Sequence, residues 1–331
     1  MRHDEKSIAG RTVLVTGGTG FVGSRLVRRL TAEGARVIVS LLSTDTVGST
    51  TSLQGVARIV PLDVRDEEAV SDCMMEYRPE IVFHLAALVS SDRDPTLLPR
   101  MFDINHRGTV HLLSAAEKLG NVRVVHMGSC EEYGDGPVPF REGQREQPVS
   151  PYGLSKLAAT NACLYYHRRA LLSAVVLRPT VIYGPGETRA SLLSSVVEAY
   201  MQGQTPCMSP GEQTRDFVYV DDVVEACLRS GVCAGAGGKI INVGTGTEIT
   251  VAEAARKVQE RSQRSEPPDT GISPYRENEI MRYVASTERA REILGWKAAV
   301  TIEEGIDRLW TRWGDVWPAR DAPGTDEERS R

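Results

Sequence analysis

The amino-acid sequence predicts an α/β fold, in which a doubly wound parallel sheet carries helices on both faces and a smaller lobe follows it. From residue 11 to about residue 180, apolar runs of four to seven residues alternate with segments of helical period. The first of these runs opens directly into a glycine-rich turn. With 331 residues, 41% of them hydrophobic, the chain can bury one large core or two unequal lobes that share a cleft.

The first strand, Thr12 to Thr16, leads into the sequence GGTGFVG and a helix that ends at Gly34. Gly17 allows a tight turn, Gly20 lets a ligand approach the backbone, and Gly23 lets the helix lie close to the strand. Backbone N–H groups at the start of such a helix typically hold a pyrophosphate. Glycine spacing alone is as consistent with a simple turn, but the strand and helix around it favour a dinucleotide site of the Rossmann type.

The alternation continues along the chain. Further strands are predicted at Val37 to Val39, Ala57 to Pro61, Ile81 to Leu85, Arg123 to Met127 and Ala174 to Leu177. Further helices are predicted from about Asp66 to Tyr77, from after Met101 to Leu119 and from near Tyr152 to near Arg169.

Beyond Pro179 the period loosens, which indicates a change in organisation. We expect residues 11–180 to form a dinucleotide-binding Rossmann domain, with strands near 217–220 and 240–243 as candidates to return to it. Residues 181–316 are predicted to form a substrate-binding lobe over the carboxyl ends of the strands. Residues 1–10 and 318–331 are predicted to be flexible termini.

Composition argues against several classes of function. The formal charge is −5 and the basic residues are scattered, so we expect no nucleic-acid surface. No run approaches the roughly 20 apolar residues of a membrane span. Because the N-terminal segment is also too polar for a signal peptide, we expect a cytoplasmic protein without membrane contact. Six cysteines without a Cys-x-x-Cys pair indicate neither a disulfide framework nor a metal site, and most should be buried.

Ser129, Tyr152 and Lys156 are the strongest candidate catalytic residues. Tyr152 and Lys156 are four residues apart on a predicted helix and therefore share one face, where the ammonium can favour the phenolate. A phenolate placed in this way can take a proton from an alcohol while hydride leaves the same carbon. Ser129 would hydrogen-bond the same oxygen, and Lys156 would also hold a ribose hydroxyl of a cofactor. Spacing alone is compatible with ordinary helix neighbours, but the upstream glycine turn favours catalysis.

These motifs together resemble an extended short-chain dehydrogenase/reductase of the nucleotide-sugar epimerase and dehydratase type. The resemblance covers about residues 11–315. It rests on TGGTGFVG at 16–23, Asp63-Val64, HLAA at 84–87, Asn105 with Gly108-Thr109, Gly128-Ser129, YGLSK at 152–156, YGPG at 183–186, Arg215-Asp216-Phe217 with Val220-Asp221-Asp222, NVG at 242–244 and LGW at 294–296. It implies an NAD(P)-dependent enzyme acting at carbon 4 of a nucleoside-diphosphate sugar.

The resemblance also implies roles for individual residues, with Asp63 and Val64 beside the adenine and Ala86 and Ala87 beside the nicotinamide. The implied cofactor contacts are Gly17, Gly20, Phe21, Val22, Gly23, Leu41, Ser43, Asp63, Val64, Leu85, Ala86, Ala87, Asn105, Tyr152 and Lys156. The implied substrate contacts are Cys130, Val181 and Arg215, together with Arg276 or Arg282 at the diphosphate. The bidentate pairing of guanidinium with phosphate is an independent physical reason to expect an arginine there.

Two positions depart from the family pattern. Relatives selective for NAD have an acidic residue at the end of the second strand, where this chain has Leu41. A 2′-phosphate is therefore not repelled, yet no basic residue follows, and Ser40, Ser43 and Thr44 offer only hydrogen bonds. The cofactor thus stays open between NAD and NADP. Val181 replaces an asparagine that contacts the substrate diphosphate in many relatives.

The turn from Gly128 to Gly134 bears on the type of reaction. In related dehydratases this turn supplies an acid and a base; here Glu131 occupies the base position, and Cys130, a poor acid, occupies the acid position. The turn also resembles that of reductases of GDP-bound 4-keto-6-deoxy sugars. We therefore favour a ketoreductase of deoxysugar biosynthesis, with 4,6-dehydration and 4-epimerisation as alternatives.

Two further alternatives concern function, and a last expectation concerns assembly. One alternative is a catalytically silent protein that senses the cofactor. Such proteins usually lack the tyrosine or the lysine, and both are present here as Tyr152 and Lys156, which argues against this alternative. A reductase of hydrophobic ketones is suggested by residues 177–181, but the motifs at 215–217 and 294–296 argue against it.

The resemblance also bears on assembly. The helices near 101–119 and 152–169 are those through which extended members of the family often form homodimers. Their apolar face would include Leu157, Ala158, Cys163, Leu164 and Tyr165.

Overall fold

The computed structural model describes residues 7–42, 55–169, 172–187 and 191–316, without the side chains of 312–316. Its strands are β1 (Thr12–Thr16), β2 (Arg36–Leu41), β3 (Arg58–Pro61), β4 (Ile81–His84), β5 (Arg123–Met127), β6 (Ser173–Pro179), β7 (Val181–Tyr183), β8 (Cys207–Met208), β9 (Thr214–Arg215), β10 (Phe217–Tyr219), β11 (Ile240–Val243), β12 (Ile249–Thr250) and β13 (Asp269–Thr270). Its helices are α1 (Phe21–Ala32), α2 (Glu67–Tyr77), α3 (Leu98–Met101), α4 (Gly108–Leu119), α5 (Pro151–Arg168), α6 (Leu192–Met201), α7 (Val220–Val232), α8 (Val251–Ser262), α9 (Glu288–Leu294) and α10 (Ile302–Val316).

Seven parallel strands form the main sheet, in the order β11-β6-β5-β4-β1-β2-β3. The chain starts in the middle of the sheet and winds first towards one edge and then towards the other. This arrangement leaves the carboxyl ends of β1 and β4 side by side, which is where such sheets bind ligands. The predicted Rossmann-type α/β fold is confirmed.

The main sheet is covered by apolar side chains on both faces, because successive strand residues point to opposite sides. Val13 and Val15 of β1 pack with α1, α7 and α9, whereas Leu14 packs with α2, α4 and α5. Four of the six cysteines are buried in the protein, as the sequence predicts for most of them. In the part of the chain that the structure describes, no helix is long and apolar enough to cross a membrane.

A second, smaller lobe has its own apolar cluster, which is built from α6, α8, α10 and β10. The chain enters this lobe directly from β6: the N–H of Thr180 still donates to Val243 in the main sheet, and the N–H of Val181 already donates to Asp216. β7 consequently pairs with β10 in a separate two-stranded sheet. The strand near 217–220 therefore does not return to the main sheet, whereas the strand near 240–243 does so as β11.

The N-terminal segment departs from the prediction of a flexible stretch over residues 1–10. Ile8 is buried against the core, and the N–H of Gly10 donates to the carbonyl of Gly34. Residues 7–10 are therefore packed on the fold. The predicted flexible stretch at 318–331 lies outside the described residues.

The helix predicted after Met101 is interrupted. A π-helical turn, Phe102–Arg107, separates α3 from α4. Such turns widen a helix locally and often occur at functional sites. This one contains Asn105, a predicted site residue.

Candidate active site

A cavity of about 670 Å³ lies at the carboxyl ends of the central strands and is closed on its other side by residues of the second lobe. Most of the predicted site residues line it. Those that do are Gly17, Gly20, Phe21, Val22, Gly23, Asp63, Val64, Leu85, Ala86, Ala87, Ser129, Glu131, Tyr152, Lys156, Val181, Arg215 and Arg276. Leu41, Asn105, Cys130 and Arg282 do not line the cavity, and Ser43 lies outside the described residues.

The glycine-rich turn forms a tight cradle at one end of the cavity. Gly17 has a φ of +68°, and a Cβ there would lie 2.7 Å from the backbone nitrogen of Ala86. A Cβ on Gly23 would lie 2.1 Å from the carbonyl oxygen of Gly17. Gly20 is the N-cap of α1, and the first turn of this helix contains no acidic residue. The cradle therefore has the shape and the charge that a dinucleotide pyrophosphate requires.

The end of β2 corrects one predicted contact. Side chains alternate along a strand, and Ser40 and Leu42 line the cavity whereas Leu41 does not. Counting from Gly34 thus selected a position one residue away from the ones that face the cavity. None of the residues 40–42 is acidic, so this part of the chain still does not separate NAD from NADP.

Asp63 is held by a neighbour that the sequence analysis did not select. Both of its carboxylate oxygens accept from the Arg65 guanidinium, each at 3.0 Å from Nε. Hydrogen bonding from Arg65 lowers the pKa of Asp63 below its usual value. Arg65 also lines the cavity and places a cation at this end of it.

Lys156 lines the cavity and is 2% exposed. Burial lowers the pKa of its ammonium to about 8, although the nearby Glu132 carboxylate raises it. Tyr152 precedes it by one helical turn in α5 and lines the same cavity. The helix begins here because Ser150 caps it, accepting from the N–H of Gly153 at 2.9 Å, with a proline in the first turn.

Two buried histidines lie close to Lys156. His84 contacts the hydroxyls of Thr16 and Thr109, and burial lowers its pKa to about 3. Burial also holds the pKa of His126 well below the usual value. Both rings are therefore neutral at physiological pH, so Lys156 is not opposed by neighbouring imidazolium charges.

Asn105 holds a loop in place, although it was predicted to contact the cofactor. It is 1% exposed, accepts from the N–H of Leu88 at 2.7 Å, and donates to the Leu88 carbonyl at 2.9 Å. It also donates to the hydroxyl of Ser155 at 2.9 Å. Asn105 thus fixes the segment after β4 against α5, the helix that carries Tyr152 and Lys156.

The turn after β5 separates its side chains into two groups. It is a 3₁₀ turn, Cys130–Tyr133, capped by Ser129. Ser129 and Glu131 line the cavity, whereas Cys130 and Glu132 are fully buried behind it. The Cys130 thiol donates to the carbonyl of Arg178 at 3.2 Å, and burial raises its pKa well above the usual value. The predicted contact of Cys130 with the substrate is therefore wrong.

A buried ion-pair network that the sequence did not indicate supports this turn from behind. Glu132 accepts from the backbone N–H of Ser129 at 2.8 Å and pairs with Arg178 at 2.6 Å. Arg178 is fully buried, pairs also with Glu146 at 2.9 Å, and lies over the ring of Tyr133. Removing one partner would leave a buried charge uncompensated, so the network fixes the position of Ser129.

Two arginines of the second lobe reach the cavity, and both bind one acidic residue. Arg215 and Arg276 each form an ion pair with Glu279, which is 6% exposed. Burial would raise the pKa of Glu279, but the hydrogen bond of Arg276 and the charge of Arg215 lower it overall. Arg282 is exposed and pairs with Glu248 away from the cavity, so only Arg276 of the two alternatives lies at the site.

Tyr283 and Arg93 also line the cavity, and neither was selected from the sequence. The Tyr283 ring is edge-on to Phe140 at 5.3 Å and lies under the Arg215 guanidinium at 5.7 Å. Burial raises the pKa of Tyr283 well above its usual value, and a hydrogen bond with Ser129 opposes this shift. Neither residue belongs to a recognisable motif, so no local signal identified it.

Comparison with known proteins gives matches over most of the chain. The NAD dependent epimerase/dehydratase family matches residues 13–244. A UDP-glucose 4-epimerase of Mycolicibacterium smegmatis is 35% identical over 302 residues, which cover 88% of this chain and 95% of that protein. A dTDP-D-glucose 4,6-dehydratase of Mus musculus is 29% identical over 317 residues, covering 91% and 89% respectively.

Solved structures agree with these sequence matches. A UDP-glucose 4-epimerase from Thermotoga maritima, determined with UDP-glucose, has a TM-score of 0.83 at 29% identity and covers 92% of this chain and 99% of its own. A Thermus thermophilus UDP-glucose 4-epimerase in complex with NAD has a TM-score of 0.80 at 29% identity, with coverages of 91% and 98%. The similarity therefore extends through both lobes.

Proposed function

Because the chain belongs to the NAD-dependent epimerase/dehydratase family, we propose that it inverts the configuration at carbon 4 of a nucleoside-diphosphate hexose. It is an enzyme of the extended short-chain dehydrogenase/reductase type. The substrate class is proposed from the two second-lobe arginines that face the cavity and from the UDP-glucose bound by the Thermotoga relative. Arg215 and Arg276 would meet the diphosphate.

The position of the Cys130 thiol is the observation that favours epimerisation over dehydration. Removing water from neighbouring carbons requires an acid for the departing hydroxyl in addition to the groups that serve carbon 4. The side chain in that position is buried and donates to the Arg178 carbonyl. Of the acid and the base that related dehydratases place in this turn, only Glu131 at the base position lines the cavity. The lack of the acid favours a 4-epimerase, which does not need it.

The residues of the cradle fit a nicotinamide dinucleotide. The N-terminus of α1 would hold the pyrophosphate, Asp63 and Val64 the adenine side, and Ala86 and Ala87 the nicotinamide side. When bound, the nicotinamide accepts and returns a hydride. NAD is the cofactor named for the family and bound in the Thermus relative, whereas NADP is not excluded by the residues at the end of β2.

Side chains of the protein would control the proton of the hydroxyl group on carbon 4. The Tyr152 phenolate would take it from the hydroxyl and later return it, with the Lys156 ammonium stabilising the negative oxygen. Ser129 would donate a hydrogen bond to the same oxygen of the sugar. The network of Glu132 and Arg178 would keep Ser129 in position throughout.

Other expectations from the sequence stay predictions. The relatives reported above are epimerases and dehydratases, so ketoreduction has no specific support from them. A homodimer through α4 and α5 also stays a prediction; Cys163 packs inward, while Leu154 and Tyr165 are exposed on α5.

The test is to incubate the purified enzyme with UDP-glucose, dTDP-glucose and a GDP-4-keto-6-deoxyhexose, and to analyse products by chromatography and mass spectrometry. Epimerisation gives a product of unchanged mass without net use of the cofactor. Loss of one water would instead indicate dehydration, and stoichiometric use of NADH or NADPH would indicate ketoreduction. Retention of full activity in Tyr152→Phe would contradict all three.

A further inference from the structure

Arg93 is a nearly buried cation in the cavity wall with unused hydrogen-bond donors. Its side chain is 11% exposed, and its Nε and Nη1 atoms have no hydrogen-bond partner among the described residues. A buried guanidinium N–H that lacks an acceptor is costly, because the desolvation of the charged group is not compensated. Because Arg93 also lines the cavity, a ligand that enters the cavity can bring an acceptor to this guanidinium.

Among the described residues, Arg93 forms an ion pair with the Glu131 carboxylate. Nη1 of Arg93 lies 3.5 Å from Oε2 of Glu131, which is too long for a good hydrogen bond. The same Oε2 accepts from the Ser150 hydroxyl at 2.8 Å. Ser150 therefore fixes the orientation of the Glu131 carboxylate. Arg93 lies close enough to balance the charge of that carboxylate, yet its donors stay available for another acceptor.

The loop that carries Arg93 is ordered by its own hydrogen bonds. Side chains of the loop accept from backbone N–H groups two residues further on, at Asp92, Asp94 and Thr96. Asn105 fixes the start of the loop at Leu88. The backbone that carries Arg93 is thus ordered before any ligand binds, which reduces the entropic cost of using this side chain.

We propose that Arg93 and Glu131 form a subsite for hydroxyl groups of the hexose, in which the guanidinium donates and the carboxylate accepts. This inference rests on the proposed function. A sugar hydroxyl both donates and accepts hydrogen bonds, so a cation and an anion side by side match neighbouring hydroxyls.

The charge and the location of the pair favour the hexose over other parts of the substrate. The positive charge of Arg93 and the negative charge of Glu131 cancel, and the Glu131 carboxylate would repel a phosphate. The diphosphate has its own cations in the second lobe, Arg215 and Arg276. Glu131 follows Ser129 by two residues, so the pair lies at the end of the cavity where the reaction is proposed to occur.

The test compares nucleotide with nucleotide sugar in Arg93→Met and wild type. We expect the Kd and KM for UDP-glucose to rise about tenfold to a hundredfold, because one charge-assisted hydrogen bond is lost. The Kd for UDP should change less than twofold, because UDP has no hexose. Titration calorimetry measures both ligands. Arg93→Lys should recover part of the affinity for UDP-glucose. The control is Arg141→Met, which removes an exposed arginine that does not line the cavity.

A second measurement identifies the hydroxyl. UDP-glucose analogues that lack one hydroxyl each are titrated against both proteins. For one analogue, wild type should lose affinity and Arg93→Met should lose none, because the contact is already absent. Equal losses of UDP and UDP-glucose affinity in Arg93→Met, or no change in either, would overturn the subsite while wild-type turnover preserved the proposed function. Failure of wild type to bind UDP-glucose or dTDP-glucose would overturn both.

Discussion

The two ends of the cavity are built in different ways. At the end proposed for the cofactor, the wall includes the glycine turn, the N-terminus of α1 and residues that follow the parallel strands. At the end proposed for the substrate, the wall includes charged side chains that already have a protein partner, since Arg215 and Arg276 both bind Glu279. The glycine turn at the first end has a fixed backbone geometry, whereas the arginines at the second end can exchange Glu279 for a ligand. The predictions below test this difference, from the largest expected effect to the smallest.

Between the two ends lies the proposed acid–base group. Tyr152→Phe removes only the phenolic oxygen, so we expect kcat to fall by about a hundredfold to ten-thousandfold, while the affinities at both ends persist. Steady-state kinetics with titration of NAD and UDP-glucose measures this. Tyr165→Phe, a change of an exposed tyrosine on the same helix, is the control. A decrease in nucleotide affinity equal to the decrease in kcat would contradict the assignment.

Lys156→Met should separate stability from activity. The folded-state pKa of about 8 lies below the usual 10.5, so the folded protein holds this proton less tightly than the unfolded chain. Stability therefore rises as pH increases from about 8 to 10.5, and below that window the buried charge costs up to about 3 kcal/mol. We expect the variant to be inactive and more stable at neutral pH, with a smaller gain near pH 10.5.

Urea unfolding of Lys156→Met and wild type at both pH values checks this expectation. The control is Lys118→Met, because Lys118 is exposed on α4 and its replacement should change stability little at either pH. A Lys156→Met protein that is less stable than wild type at neutral pH would show that the ammonium stabilises the fold.

Arg215→Met should weaken the substrate end alone. We expect the Kd for UDP to rise about tenfold to a hundredfold with NAD affinity unchanged, because a charge-assisted contact to the diphosphate is lost. Arg282→Met is the matched control, since Arg282 pairs with Glu248 outside the cavity and should change the Kd less than twofold. Equal effects of the two substitutions would show that exposed positive charge, rather than the site, attracts the nucleotide.

Gly23→Ala should damage the cofactor end through backbone sterics. The new Cβ would lie 2.1 Å from the Gly17 carbonyl, so the turn must shift, at a cost of about 1–3 kcal/mol in folding free energy and with weaker NAD binding. Thermal unfolding with and without NAD measures both. Gly143→Ala is the control, because a Cβ there meets nothing within 4 Å. An unchanged NAD affinity in Gly23→Ala would contradict the idea that this end is rigid.

The same difference explains what the sequence could predict. The glycine turn, the alternation of strands and helices and the Tyr152–Lys156 spacing are local patterns. Local patterns determine both the main sheet and most of the wall proposed to hold the cofactor. Arg93 and Tyr283 are single residues whose partners are distant in sequence, and Glu279 joins nearby Arg276 to distant Arg215, so no short window of the chain reveals their role. The roles given to the motif residues by resemblance still await the measurements above.

The incorrect assignments at Leu41 and Cys130 share one cause. In each case the correct segment was identified, but the residues on either side of the chosen one line the cavity and the chosen residue does not; Cys130 is fully buried behind it. A shift of one position along a strand or a tight turn reverses the direction of the side chain. A sequence pattern therefore identifies the segment more easily than it identifies which residue of that segment faces the cavity.

The direct passage from β6 into β7 has a mechanical consequence. Thr180 is bonded to the main sheet and Val181 to the second lobe, so adjacent residues are clamped on opposite sides of the lobe boundary. Clamshell motion needs a soft hinge where backbone dihedral angles can change freely, and this crossing offers none. We therefore expect this crossing to restrict the relative motion of the two lobes, so that exchange of nucleotides depends more on displacement of peripheral loops and side chains.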